Sequence, residues 1–343
     1  MTKKVLLIGG GTGGHIIPLK NLAEELRKKK CQVEIIVSDS PLDRQIAQEN
    51  FSRDFQVHYF QTDKIRRYFS WKNFFAPFKI LKSIFSAKKL LAEIKPDVVF
   101  FKGGFVGFPF LMALIFSNFR GKIYGHESDI ETGKLTKLLA QVADKVFYSF
   151  GEPPYPLFFS AENPAKKSPS NKIPPDKGAR GFKLLVFGGS QGAQFINELI
   201  RDNLAELTKK FEVFLVTGIG KSIKTKISRN FQQVEMMSAA ELSEKIKESD
   251  LIISRAGANS LFEIISAKKP SLIIPLPSAA KNHQEKNAQF FAKKGLCYVF
   301  HQNKNHDFLK TLEICFADKK LRENLQKSTI QNSAKKIARE IIQ

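Results

Sequence analysis

The chain has 343 residues, more than a single hydrophobic core usually serves, so two domains are expected. Its 43% hydrophobic and 26% charged residues are those of a globular protein and exclude wholesale disorder. With 55 Lys and Arg against 33 acidic residues, the net charge of +22 points to an anionic partner: nucleic acid, an acidic membrane face or a phosphorylated substrate.

In the first half, short apolar runs predict strands at 5–8, 33–37, 98–101, 123–125 and 146–148. Segments of helical period lie between them, the clearest at 19–30 and 77–94. The first apolar run is too short for a signal peptide, and 109–116 falls far short of the roughly 20 residues that a membrane span needs. A cytoplasmic protein with at most peripheral membrane contact is expected. The stretch 152–181, rich in Pro, Lys and Ser, reads as a linker. The alternation then restarts with strands at 184–187, 213–217, 251–253, 272–274 and 298–300, and helices follow from 307. The fold class is therefore α/β, with two Rossmann-like domains on parallel sheets. Residues 1–160 form the first domain and 161–327 the second, while a last helix at about 328–343 is free to pack back on the first. Cys31, Cys297 and Cys315 form no CxxC or Cys/His cluster, which fits a reduced compartment without structural zinc.

Each half opens alike, a strand running into glycines and then a helix: VLLIGGGTGGH and LLVFGGSQGAQ. Such turns let a backbone approach a ligand closely and aim N–H groups and a helix N-terminus at an anion. Gly9, Gly11 and Gly14 satisfy GxGxxG, and Asp39 stands where a dinucleotide-binding ribose acid would, so taken alone the first turn suits a nicotinamide or flavin enzyme as well as a transferase. A tight turn without a ligand is the plain alternative. His15 follows the turn, where a histidine can act as a general base. In the second turn, Gly188, Gly189, Ser190, Gln191 and Gly192 add a hydroxyl and an amide to the backbone donors and suit a diphosphate. Arg255 stands beside a later loop. Glu263 is either a ribose acceptor or an ordinary surface glutamate. His283, Gln284 and Asn287 follow a strand as candidate sugar readers. No DxD pair occurs, so metal ligands of that kind are absent and no cofactor is expected. Residues 64–79 interleave basic side chains with Tyr68, Phe69, Trp71, Phe74 and Phe75, either a peripheral membrane anchor or a helix whose apolar side faces the core. The lysines are spread over both halves with no RNA-binding signature, so nucleic acid is not expected as a partner.

Six segments in this order resemble the MurG family of two-domain glycosyltransferases: GGTGGH at 10–15, KGGFV at 102–106, HESD at 126–129, GGSQGA at 188–193, SRAGA at 254–258 and HQEKNA at 283–288. The resemblance spans nearly the whole chain. It implies two domains facing a central cleft and inverting transfer of N-acetylglucosamine from UDP-N-acetylglucosamine to the 4-hydroxyl of undecaprenyl-pyrophosphoryl-MurNAc-pentapeptide, at the cytoplasmic face of the membrane. By the same resemblance, Ser190 and the surrounding glycines contact the diphosphate, Arg255 lies beside the nucleotide, Glu263 holds the ribose, and Gln284 with His283 reads the sugar. Thr12, Gly13, Gly14, Gly103, Gly104, His126 and Glu127 serve the acceptor, with His15 as base and Asp129 either binding acceptor or assisting proton transfer. Where the family commonly has a GNPVR-like stretch, this chain has Glu162-Asn163-Pro164-Ala165-Lys166, so Lys166 keeps a charge for phosphate without arginine's planar fork.

Overall fold

The structure, a computed structural model, describes residues 2–51, 53–62, 76–159, 181–225, 229–302 and 307–343. The chain divides into two compact units. Unit 1 holds residues 1–128, 132–159 and 332–343, and unit 2 holds 129–131 and 160–331.

In unit 1 the order is β1 (Lys4–Gly9), α1 (Gly13–Ile16), α2 (Leu19–Lys28), β2 (Gln32–Ser38), α3 (Pro41–Asn50), β3 (Gln56–Phe60), α4 (Ala76–Ile94), β4 (Val98–Gly103), α5 (Gly107–Ile115), β5 (Lys122–Glu127), α6 (Lys134–Leu139) and β6 (Lys145–Tyr148). The sheet runs β3-β2-β1-β4-β5-β6, and every pair in it is parallel. Its strands are nearly continuous apolar runs because helices cover both faces. Val5 and Leu7 enter one core layer with Leu19, Leu22 and Ile46, while Leu6 and Ile8 enter the other with Leu91, Phe110 and Leu114.

Unit 2 repeats the plan with β7 (Phe182–Phe187), α7 (Gln194–Lys210), β8 (Phe211–Val216), β9 (Phe231–Val234), α8 (Ala239–Glu248), β10 (Leu251–Ser254), α9 (Ala258–Ser266), β11 (Ser271–Ile273), α10 (His283–Ala292), β12 (Tyr298–Val299), α11 (Phe308–Ala317) and α12 (Lys319–Lys327). Its sheet, β12-β11-β10-β7-β8-β9, is also parallel throughout. Ser238 and Glu241 close a capping box at the start of α8.

The last helix, α13 (Ala334–Ile342), groups with unit 1. Ala334, Ile337, Ala338 and Ile341 recur every three or four residues and bury that stripe in the same layer as Leu19, Leu22 and Leu26 of α2. Glu340 accepts a hydrogen bond from Tyr155 Oη at 2.8 Å and pairs with Lys145. The linker expected from 152 onward is corrected at its start. Leu157, Phe158 and Phe159 are buried in unit 1, and Pro156 O accepts from Ser333 N. An apolar Leu-Phe-Phe run gains more from burial than a solvated linker would allow.

Candidate active site

The first glycine turn joins β1 to α1. Gly104, at φ +87°, lies so close to it that a Cβ there would come within 1.9 Å of Gly10 O, and the turn after β4 is thereby pressed onto the turn after β1. Phe105 covers Gly11, and the Gly11 N–H donates to the buried carboxylate of Asp43, which Ser38 Oγ also reaches. The helix behind this turn is short. Pro18 has no N–H to give, so α1 is one turn long and α2 starts afresh at Leu19. Thr12 stands at its N-cap without a side-chain cap bond, Gly13 is buried and Gly14 is exposed.

His15 Nδ1 lies 3.2 Å from both Gly10 O and Thr12 Oγ1. A carbonyl oxygen can only accept, so this contact assigns the proton to Nδ1 and leaves Nε2 as the basic nitrogen. A Cβ on Gly103 would sit 3.2 Å from that Nε2, so the ring lies over Gly103. The structure thus brings together Thr12, Gly13, Gly14, His15, Gly103 and Gly104.

His126 is fully buried beneath this surface. Its Nε2 donates to Tyr155 O at 2.8 Å, and its Nδ1 has no partner among the described residues. Burial, then the nearby charges of Lys102 and His15, hold its pKa well below the usual histidine range, so the ring is neutral. Glu127 is equally withdrawn. Its Oε2 accepts from Gly133 N and Thr136 Oγ1, both at 2.8 Å, and so fastens the start of α6. Asp129 lies in the tripeptide that groups with unit 2, where its Oδ1 accepts from Asn287 Nδ2 at 2.8 Å.

In unit 2 the turn after β7 leaves Gly189, Ser190 and Gln191 exposed, with Gly188 and Gly192 half-buried at its ends. Gly192 has φ +66°, and a Cβ there would meet Thr217 O at 2.2 Å, so this corner admits only glycine. The 17-residue α7 starts directly behind it, its N-cap Ala193 offering no side-chain acceptor. Gly192 N donates within the turn to Gly189 O at 2.9 Å, and the exposed Gly189, Ser190 and Gln191 stand before the positive end of a helix. Lys221 adds a cation by donating to Gln191 O at 2.6 Å.

Arg255, at the end of β10, is buried. Its guanidinium donates to Ile274 O, Pro275 O and Gln302 Oε1 at 3.0–3.1 Å. Burial lowers its pKa, and among the described residues no carboxylate pairs with it. Glu263 on α9 is not the ordinary surface glutamate that the sequence left open. Its carboxyl is turned inward, Oε1 is buried with no partner among the described residues, and burial pushes the pKa up to about 8. Gln284 Oε1 accepts from Leu276 N at 3.0 Å, which leaves its amide nitrogen for another acceptor; His283 stands beside it, half-buried, at the first position of α10. Asn287 is corrected as a sugar reader. It is buried, donates to Asp129 and Ala256 O, and accepts from Ile130 N.

Comparison with known proteins also splits the chain in two, although it counts α13 with the second half. The glycosyltransferase family 28 N-terminal domain matches residues 5–148 and the family 28 C-terminal domain matches 183–341. A UDP-N-acetylglucosamine–N-acetylmuramyl-(pentapeptide) pyrophosphoryl-undecaprenol N-acetylglucosamine transferase of Clostridium botulinum is 34% identical, over 98% of this chain and 97% of its own. Its counterpart in Clostridium tetani is 33% identical, over 97% and 95%. The chain belongs to the MurG family.

The crystal structure of Acinetobacter baumannii MurG has the same fold, with a TM-score of 0.75 at 24% identity and 99% of both chains covered. Membership removes the nicotinamide reading of Gly9, Gly11, Gly14 and Asp39. Asp39 is instead held by Arg44 and Gln61. Of the residues singled out from the sequence, Tyr68, Phe69, Trp71, Phe74, Phe75 and Lys166 lie outside the described residues. Sequence reasoning missed Asp43, which fills the first turn from inside, and the outer face of α4. On that face Phe78, Leu81 and Phe85 are 71%, 52% and 65% exposed. Their spacing of three and four residues was the available signal, obscured because the same helix also carries buried Ala87, Leu91 and Ile94.

Proposed function

We propose that this chain transfers N-acetylglucosamine from UDP-N-acetylglucosamine to the 4-hydroxyl of undecaprenyl-pyrophosphoryl-MurNAc-pentapeptide, converting lipid I to lipid II in peptidoglycan synthesis. The observation that carries the reading is full-length kinship with relatives whose names state this reaction. Incubation of the purified protein with UDP-N-acetylglucosamine and lipid I tests it. A lipid-linked disaccharide is the expected product, and its absence while another UDP-sugar or glycolipid acceptor is consumed would replace the reading.

The chemistry asked of the residues is direct displacement. The acceptor hydroxyl loses its proton as its oxygen attacks the anomeric carbon from the face opposite UDP, and the centre inverts. Nε2 of His15 takes that proton. As the bond to UDP breaks, negative charge grows on the departing diphosphate. The N–H groups of Gly189, Ser190 and Gln191, the Ser190 hydroxyl, the α7 terminus and Lys221 meet that charge. Arg255 lies beside the nucleotide. Glu263 accepts from the ribose hydroxyls after its carboxyl swings from its inward position, and Gln284 with His283 reads the sugar. The acceptor pyrophosphate lies against Gly13, Gly14, Gly103 and Gly104. Asp129 and Glu127 act by holding the loop between β5 and α6, and His126 supports it from beneath.

Membrane contact belongs to the same reading. No described helix is long and apolar enough to cross a bilayer. The exposed Phe78, Leu81 and Phe85, flanked on α4 by Lys79, Lys82, Lys88 and Lys89, form an apolar face with a basic border suited to an anionic lipid surface at the cytoplasmic side. Replacing the three apolar residues with serine should release the protein from anionic liposomes yet leave turnover of a short-chain soluble acceptor intact. Equal loss of both would refute the anchor.

A further inference from the structure

Arg255 leaves β10 at the C-terminal end of the second sheet, where open parallel sheets receive their ligands. Ser254 pairs in parallel register with Phe187, so Arg255 emerges at the level of Gly188 and the second glycine turn. The guanidinium is buried, yet its bonds all leave from one nitrogen. Nη1 donates to Ile274 O and Pro275 O at 3.1 Å, just past β11, and to Gln302 Oε1 at 3.0 Å, just past β12. Among the described residues no acceptor takes Nε or Nη2. That side of the guanidinium is a planar fork of N–H groups suited to an anionic ligand.

The three acceptors form a fixed frame. Ile274 N donates to Ser254 O at 2.8 Å, so Ile274, whose carbonyl receives Arg255, is tied to the residue that precedes it. Phe300 N donates to Ile273 O at 2.9 Å and its ring packs edge-on against Phe308, which fixes the chain two residues before Gln302. His301 Nδ1 lies 3.4 Å from Glu285 Oε2, on the helix that carries His283 and Gln284. The loop after β12 is thereby held on two sides while Gln302 reaches back across β11 to Arg255. Of the three acceptors only Gln302 offers a side chain. Three neutral oxygens hydrogen-bond a guanidinium without neutralising it, so its charge still acts on a ligand at the open side.

We propose that Gln302 is a positioning residue of the donor site, holding Arg255 with its Nε–Nη2 side turned to the nucleotide. The proposal rests on the donor reading given above. Without Gln302, Nη1 keeps its two carbonyls but loses the contact reached across β11, and the guanidinium is free to tilt about them. The nucleotide portion is bound before and after the sugar leaves it, so this role belongs to binding rather than to the chemical step: KM for the donor moves and kcat does not.

Gln302→Leu roughly keeps the bulk of the side chain and deletes the acceptor. Calorimetric titration of the full chain with UDP should show affinity about tenfold weaker than the parent, the loss of one hydrogen bond to a charged group. KM for UDP-N-acetylglucosamine should rise by a similar factor, while kcat and the acceptor KM stay near the parent values. Gln302→Glu keeps an oxygen at the same reach and should restore most of the affinity. In an Arg255→Met background Gln302→Leu should weaken UDP binding no further, since the residue acts through Arg255. Equal UDP affinity in parent and Gln302→Leu, or the same weakening in the Arg255→Met background, overturns the proposal. So does a Gln302→Leu chain whose donor and acceptor KM rise together, as a loop needed only for packing would produce. A parent that gives no heat with UDP would instead sink the donor reading, and this role with it.

Discussion

In unit 1 the glycine turn after β1 is already occupied by its own chain. Asp43 accepts from Gly11 N, Phe105 lies over the turn, Gly104 is wedged against Gly10 O, and the helix behind it lasts a single turn. In unit 2 the turn after β7 holds Gly189, Ser190 and Gln191 in solvent, backed by seventeen residues of α7 and by Lys221. The same strand–glycine–helix sentence in sequence therefore makes two different devices. In the proposed reading the second turn receives the diphosphate. The first is a shelf braced from inside by Asp43 that holds His15 in one tautomer.

The sharpest break of this contrast is His15→Ala. Loss of a positioned general base should cut turnover about 10²- to 10⁴-fold, while UDP affinity measured by calorimetry stays at the parent value. Unchanged turnover would remove the shelf's chemical role. The two turns should also differ in what an added methyl does. Gly104→Ala forces a Cβ into Gly10 O at positive φ and should cost at least about 3 kcal/mol of stability in thermal or urea unfolding, whereas Gly189→Ala meets nothing within 4 Å and should cost only the backbone strain of about 1–2 kcal/mol. Equal losses would mean that the turns are alike. Asp43→Ala strips the internal anion from Gly11 N and Ser38, a loss of about 1–3 kcal/mol, with no counterpart to delete in the second turn.

A pH dependence concerns Glu263. Its carboxyl keeps a proton up to about 8 when folded and releases it near 4.5 when unfolded. The raised value favours the folded chain fully below pH 4.5, and that advantage is lost as pH rises through about 8. Unfolding of the ligand-free protein should therefore become easier across this window, and Glu263→Gln should flatten the slope. A parent without the slope would place the carboxyl in water.

Ten of the twelve strands among the described residues were legible because each is a short apolar run between turn residues. β3 (QVHYF) and β9 (FQQV) were missed for one reason. Both are outermost strands carrying Gln or His among few apolar residues, whereas the equally outermost β6 (KVFY) and β12 (YV) keep an apolar run. At the site, glycines and His15 could be read because a turn after a strand constrains which residue types fit. The inward turn of Glu263, the withdrawal of Glu127 to fasten α6, and the buried bonds of Asn287 could not. Each is decided by a side-chain direction that depends on neighbours outside the element, such as Ser243 on α8 for Glu263, Thr136 on α6 for Glu127 or Asp129 for Asn287.

The return of α13 to α2 carries a consequence for any attempt to dissect the protein. The polypeptide leaves the first unit and comes back to complete it, so cutting after residue 159 would not release an intact half. It would strip the cover from Leu19, Leu22 and Leu26 and turn a sealed layer into a sticky one. Residues 332–343 behave as a detachable keel, and a fragment lacking it should regain solubility when that peptide is added back in trans.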